Sequence, residues 1–408
     1  MLRTSATAAR TAEGDASEGV TAGPGAAIAD VLDGPTGTGG GPRTAGEAVA
    51  AVESVLAEHL DARVREAGEI DAVSAREVAS RVAGFVRGGG KRLRTAFVWC
   101  GWQAAGAGGD PEVPLRIGAA IELLQACALI HDDVMDGSPV RRGGPAVHRQ
   151  FAHLHRAHRM NGSADAYSTT AAVLAGDLAL AWADDLLADT ALALPPPAGR
   201  RLHREWRAMR GEMVAGQYRD VRAQATGSSG VDEALSIATL KSALYTVVRP
   251  LALGACVAGT GADDGTMEAL RAAGGCAGLA FQLRDDLLGV YGDPAVTGKP
   301  ADEDLRGRKL TYLLAVALER ATESYDGAAV DALGPGRVPR SEPDVARMRA
   351  ALERTGARAV VEEEIAGLCA RSVRHFAATG ASPGVRAEFA ALVDRAAGTK
   401  PATKRENA

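Results

Sequence analysis

Apolar residues recur along this chain at steps of three and four. Val49, Val52, Leu56, Leu60 and Val64 line one face of a helix. Thr44 and Glu47, just ahead of that stripe, have the spacing of a capping box and mark where order begins. The same period returns through 115–136, 170–189, 200–222, 232–258, 265–291, 309–322 and 343–395, whereas strand-like alternation is scarce. The breaks are short (GAGGDPEVP, ALPPPAGR, ATGSSG) apart from one longer stretch, ESYDGAAVDALGPGRVPRSEPD. There is no internal repeat of fixed period. The pattern predicts one all-α domain over 44–396, larger than a four-helix bundle. Residues 1–43, mostly Ala, Gly, Thr and acidic, are expected to be a disordered arm, and 397–408 a flexible tail.

Composition narrows the classes of function. Lys and Arg number 46 against 51 Asp and Glu, the formal charge is −5, and no basic block offers a nucleic-acid surface. The five cysteines are scattered and form no CxxC, so they read as buried thiols in a reducing cytosol rather than as a zinc or redox site. No stretch approaches the roughly eighteen apolar residues of a membrane span. The N-terminus lacks the compact apolar core of a signal peptide. A soluble, cytoplasmic protein without stable membrane insertion is expected.

The chemistry begins at HDDVMDGSPVRRG, residues 131–143, where Asp132, Asp133 and Asp136 crowd together and Arg141 and Arg142 follow. The aspartates repel one another, so a cation belongs among them and an anion near the arginines. On a helix over 115–136, Asp132 and Asp136 fall one turn apart on one face with Asp133 beside them. Such an oxygen-rich, partly open site suits Mg²⁺, which keeps water and is completed by substrate phosphates. A second acidic pair, Asp285 and Asp286, closes FQLRDD on another helical stretch. Upstream lies GGGKRLR (88–94): its glycines admit a ligand close to the backbone, and Lys91 and Arg94, one helical turn apart, engage an anion. It lacks the pattern of a Walker A loop. The histidines of HRQFAHLHRAHRM, among them His153, His155 and His158, fit no standard metal spacing, and a solvated basic loop is expected there.

Taken in order, these blocks resemble the polyprenyl synthetase family of trans-isoprenyl diphosphate synthases, from about residue 45 to 395. GGGKRLR resembles the family's GGKxxR, and LLQACALIHDDVMDGSPVRRG its first aspartate-rich motif with the trailing RRG. LKSA (240–243) resembles its KTA, FQLRDDLLG its FQxxDDxxD, and TGKPADEDLRGRKLT its closing basic loop. The resemblance implies a helical bundle of the isoprenoid synthase type, with a cavity between the helices that carry the two acidic motifs. It implies Mg²⁺, three ions per site, joining an allylic diphosphate to Asp132, Asp133 and Asp136 on one side and Asp285 on the other. Asp286 either joins them or turns to Lys309 or solvent. Arg141, Lys241 and Lys299 would donate to the leaving diphosphate; Lys91, Arg94, Gln125 and Arg142 would hold isopentenyl diphosphate. Gln282, Ser242 and the Lys241 carbonyl would present dipoles to the allylic cation, and the departed diphosphate would take the final proton. A homodimer is implied.

Three positions depart from the family pattern. Gly289 stands where the second motif usually ends in Asp, leaving two carboxylates there; Ser242 replaces a threonine but keeps the hydroxyl; Arg308 stands where glycine is usual, which leaves the placement of Lys309 open. Chain length is read one turn before Asp132, where Cys127 and Ala128 are small and farnesyl-producing relatives carry an aromatic. That opens the tunnel by one turn, about 5 Å, with Leu124 and Ile121 as a floor. A C20 product, geranylgeranyl diphosphate, is expected; a longer polyprenyl or a farnesyl product is the alternative. A class I terpene cyclase needs one diphosphate site rather than two. A non-catalytic partner subunit accords with Gly289 but not with the intact first motif.

Overall fold

Thr44 caps the first helix as its spacing predicts, its hydroxyl accepting from the Glu47 amide at 3.1 Å. The Glu47 carboxylate accepts from the amide of Arg43 at 2.6 Å rather than from Thr44. Order thus reaches back to Arg43, whose carbonyl is also held by Gln103. The computed structural model describes residues 41–293, 302–335, 339 and 341–398. The rest of the arm expected at 1–43, the tail beyond Gly398, and Lys299 lie outside the described residues.

Helix α1 (Ala45–Ile70) buries Val52, Leu56 and Leu60. Next come α2 (Ala72–Ser74), a π turn (Ala75–Ala79), α3 (Ser80–Arg87), α4 (Leu93–Ala104) and α5 (Glu112–Met135). A two-residue hairpin pairs Val140–Arg141 with Gly144–Pro145. Then follow α6 (Val147–Ala157), α7 (Ala164–Ala193), α8 (Pro196–Thr226), α9 (Val231–Ile237), a π-helix (Ala238–Val248), α10 (Arg249–Ala255) and α11 (Asp264–Tyr291). Shorter helices complete the chain: Glu303–Arg306, Tyr312–Glu323, Gly327–Leu333, Glu342–Arg354, Ala357–Ala377 and Pro383–Ala397. The architecture is all-α, as the periodicity predicts.

Two local expectations are corrected. The stretch 343–395 is three helices, because Gly356 (φ 67°) and Gly380 (φ 71°) turn the chain into the left-handed region. The histidine-rich segment is not a solvated loop: it forms α6, whose inner face buries Val147, His148, Phe151, Ala152 and His155. The helix turns His155 inward and leaves His153 and His158 exposed, so the three share no site.

Helix α5 runs through the centre, with Ile117, Ile121, Leu123 and Leu124 wholly buried. One 18-residue window of α5 reaches a mean hydropathy of 1.6, a longer apolar run than the sequence reading allowed, but 72% of that window is buried inside the fold. It is a core helix. Small residues on α7 (Ala172, Ala175, Gly176, Ala179) let it lie close against α5. A Cβ on Gly176 would run into the ring of His131. On α8, Gly216 does the same for the π-helix: a Cβ there would come under 3.0 Å from the backbone of Leu240 and Lys241. These two close approaches bring the ends of α5, α8 and the π-helix to one place.

Candidate active site

The first acidic motif sits at the C-terminal end of α5, where the chain leaves the core. Asp132 accepts from Lys241 Nζ and from Gln217 Nε2, both at 3.2 Å, and Arg141 lies 3.6 Å from its other oxygen. Asp133 is fully buried and accepts from Arg141 Nε at 2.8 Å and from Arg141 Nη2. Asp136 accepts from Lys309 Nζ at 2.6 Å. Lys241 Nζ also donates to the buried Asp220 at 2.6 Å. Every cation of this wall faces a carboxylate.

That pairing fixes the charge states. Burial works to raise the pKa of Asp132, but Lys241, Lys309 and Arg141 together outweigh it and hold the carboxyl below its ordinary value. Burial likewise works against the charged form of Lys241, and Asp132 and Asp220 reverse it, raising its pKa. The same balance, with Asp136 and Asp304 as the partners, raises Lys309 strongly. All three are therefore charged at neutral pH.

The second motif, on α11, faces this wall through Lys309 and Asp304, whose charged atoms are 3.9 Å apart. Asp285 is exposed, whereas Asp286 is buried. Asp286 pairs with neither Lys309 nor solvent: it accepts from Gln282 Nε2 at 2.7 Å and from the Tyr312 amide at 3.2 Å. Burial, then the charge of Asp304, pushes its pKa up to about 8. Gln282 is thus committed to Asp286 rather than aimed at a substrate. The missing third carboxylate has a physical counterpart: a Cβ on Gly289 would lie 2.5 Å from Asp304 Oδ2. The carboxylate of Asp304 fills the space that a side chain at 289 would enter.

Arg308, the other departure, adopts the left-handed conformation that glycine usually supplies (φ 52°). Its guanidinium is anchored on the carbonyls of Leu333 and Gly334. Lys309 therefore keeps its place against Asp136.

A second group of cations lies beside the first. The hairpin turn places Arg142 and Gly143 at positive φ (54° and 75°), the pattern of a type I′ turn. It sends Arg141 to Asp133 and Arg142 to the Phe85 carbonyl at 2.7 Å, over the Phe85 ring. Arg142 is exposed as a residue, yet loss of water around its guanidinium, followed by the positive charge of Arg92, brings its pKa down to about 10. Its guanidinium passes 3.5 Å from where a Cβ on Gly90 would stand, which ties the RRG turn to the GGGKRLR loop.

Lys91 and Arg94 are not one helical turn apart. Arg92 takes a left-handed conformation (φ 45°) ahead of α4, leaving Lys91 exposed before the helix and Arg94 in its first turn. Arg94 donates to Thr246 at 2.9 Å and lies 4.4 Å over the Tyr245 ring. Among the described residues, neither Arg94 nor Arg142 has a carboxylate partner. Buried polar atoms without a hydrogen-bond partner include Arg94 Nε, Gln125 Oε1 and Tyr245 Oη. Unmet donors, here Arg94 Nε and the Tyr245 hydroxyl, beside unneutralised arginines are what an anion site needs.

Sequence reasoning missed Asp220, Gln217 and Glu122. Gln217 and Asp220 sit three apart in GQYRD on α8, and a lysine in an apolar run such as Leu240–Ala243 needs a counter-charge. Glu122, a lone acid in the apolar core of α5, needs one too. Ser242 is buried on the π-helix. Leu124 and Cys127 are buried and Ala128 half-buried, with Cys127 Sγ turned to His131 Nδ1 at 3.7 Å.

A magnesium ion fits this donor set. No three His, Cys, Asp or Glu side chains among the described residues converge to cage a metal by themselves. Mg²⁺ asks for less, one or two carboxylates with water and phosphate oxygens. Asp132 and Asp136 offer such oxygens, whereas Asp133 and Asp286 are committed to protein donors.

Comparison with known proteins places this geometry. Residues 76–351 match the family model for polyprenyl synthetase. The chain is 36% identical over 267 residues to the geranylgeranyl diphosphate synthase of Mycobacterium tuberculosis, covering 65% of this chain and 69% of that one. It is 37% identical over 222 residues to the (2E,6E)-farnesyl diphosphate synthase of Mycobacterium bovis, 54% of this chain and 55% of the relative. The crystal structure of a geranylgeranyl pyrophosphate synthase from Corynebacterium glutamicum, complexed with isoprenyl diphosphate and magnesium, aligns with TM-score 0.81 and 38% identity. That alignment covers 87% of this chain and 99% of that one. The fold is that of the prenyl-transferring isoprenyl diphosphate synthases. The chain belongs to the polyprenyl synthetase family, as an isoprenyl diphosphate synthase.

Proposed function

We propose that this protein is a cytoplasmic, Mg²⁺-dependent synthase that condenses isopentenyl diphosphate with an allylic diphosphate to give geranylgeranyl diphosphate, its catalytic domain spanning 44–396. The observation that carries the reading is the presence of two separate groups of cations. Lys241, Lys309 and Arg141 each face an aspartate, whereas among the described residues Arg94 and Arg142 face none. Two groups suit two diphosphates, which condensation needs and a single-substrate cyclase does not.

Asp132, Asp136 and the exposed Asp285 would hold Mg²⁺, and the bound metal would neutralise charge developing on the leaving diphosphate. Lys241 and Lys309 would turn from their aspartates to the same oxygens. Arg141, fixed by Asp133, would add a rigid donor. Arg94 and Arg142, with Lys91 and Gln125 beside them, would retain the isopentenyl diphosphate, and Ser242 would lie beside the reacting carbons.

Chain length rests on α5. Cys127 and Ala128 leave room one turn below Asp132, and Leu124, wholly buried, lies one turn further down. Ala128→Phe is expected to shorten the main product from C20 to C15, read by chromatography of the dephosphorylated products. An unchanged length would mean the growing tail runs elsewhere.

A homodimer through α7 and α8 is part of the same reading. Val173 and Leu174 on α7 and Val214, Tyr218 and Val221 on α8 are large apolar side chains left exposed. Exposed patches of this kind mark association surfaces. Leu174→Glu is expected to convert the dimer to monomer in light scattering; a wild-type chain already monomeric at micromolar concentration would overturn the assignment.

A further inference from the structure

Within GGGKRLR, one residue has no part in the substrate reading. Arg92 is 4% exposed, and protein groups take its donors. Nε and Nη2 donate to Glu53 of α1 at 2.7 and 3.2 Å, Nη1 to Glu122 of α5 at 2.9 Å, and Nη2 also to the Val86 carbonyl at 2.9 Å. Its backbone is left-handed, a conformation that a non-glycine residue keeps only where the surroundings impose it.

The neighbouring carbonyl, that of Phe85, receives Arg142. Two successive carbonyls at the C-terminal end of α3, the negative end of the helix dipole, thus bind two guanidinium groups. One of these is neutralised twice over by acids. The other has none.

We propose that Arg92, clasped by Glu53 and Glu122, is a positioning residue for the isopentenyl diphosphate site. It pins the end of α3 to the start of α4, and so sets the separation of Arg142, which hangs from α3, and Arg94, which stands two residues beyond Arg92. The inference rests on the two-diphosphate reading above. Because Glu53 and Glu122 are both engaged by Arg92, they are withheld from Arg94 and Arg142, which stay open to an anion. A buried ion cluster of this kind contributes little net stability against an apolar replacement, so its effect falls on geometry.

Steady-state kinetics with both substrates varied test this. Arg92→Met alone would strand two carboxylates, so Arg92→Met/Glu122→Gln, which removes the buried pair together, is the decisive variant. Its KM for isopentenyl diphosphate is expected to rise at least about tenfold, with kcat and the KM of the allylic primer within about threefold. Arg92→Lys should recover part of the loss. Arg249→Met is the control: its guanidinium is likewise held by two acids, Glu205 and Glu212, outside this site. It should lower thermal stability without that split in KM. Equal changes for the two substrates, or none, overturn the inference. If the wild-type protein condenses nothing, the two-diphosphate reading fails, and titration of inorganic pyrophosphate without divalent metal decides in its place. Weakening of at least about tenfold in the double variant supports the positioning role; equal binding removes it.

Discussion

Asp132→Ala is expected to lower kcat by at least about a thousandfold, equivalent to about 4 kcal/mol of transition-state stabilisation, while leaving the melting temperature close to wild type. Its side chain is partly exposed, and Lys241 keeps Asp220 when Asp132 is removed, so no charge is stranded. The adjacent Asp133→Ala should behave in the opposite order. Asp133 is fully buried and holds Arg141 from two nitrogens, so its loss leaves the guanidinium with only the longer contact to Asp132 at 3.6 Å. Breaking a buried pair in this way costs about 3–5 kcal/mol, and stability should fall with activity. Product formation from labelled isopentenyl diphosphate and thermal unfolding, measured on both variants, separate the two. An Asp132→Ala enzyme that still turns over at the wild-type rate would move the leaving group away from α5.

Gly216→Ala is expected to lower both stability and rate. The new Cβ would meet Lys241 N, Lys241 Cα and Leu240 C, all backbone atoms that cannot swing aside. Overpacking of this kind costs about 1–3 kcal/mol, a drop of roughly 1–4 °C in melting temperature for a domain of this size. It also displaces Lys241 from Asp132, and a misplacement of about 1 Å at a reacting centre can cost about a hundredfold in rate. Retention of both stability and kcat would show that α8 and the π-helix are free to separate.

The helical period and the ordered motifs were enough to read the fold class and the identity of most charged residues from sequence. What stayed hidden was how they pair. Lys309 and Asp136 are 173 positions apart and Arg92 and Glu122 are 30 apart, and no local rule brings such residues together. The relative placement of Lys91 and Arg94 escapes the sequence because a left-handed arginine is not written in residue type. In α6 the histidines drew attention from the stripe of Val147, Phe151 and Ala152 beneath them. Gly289 looked like a lost ligand because the side chain in its place, Asp304, comes from another element.

The π-helix has one further consequence. Its hydrogen bonds close at i to i+5, one residue wider than in an α-helix, and Lys241 and Thr246 are five residues apart. Lys241 reaches Asp132 while Thr246 receives Arg94, so a single widened turn acts as the ruler between the two cation groups. Wound instead at 3.6 residues per turn, positions five apart would diverge by roughly 140° around the axis. The spacing of the two anchor points is thus encoded in helical pitch, not in the length of any side chain.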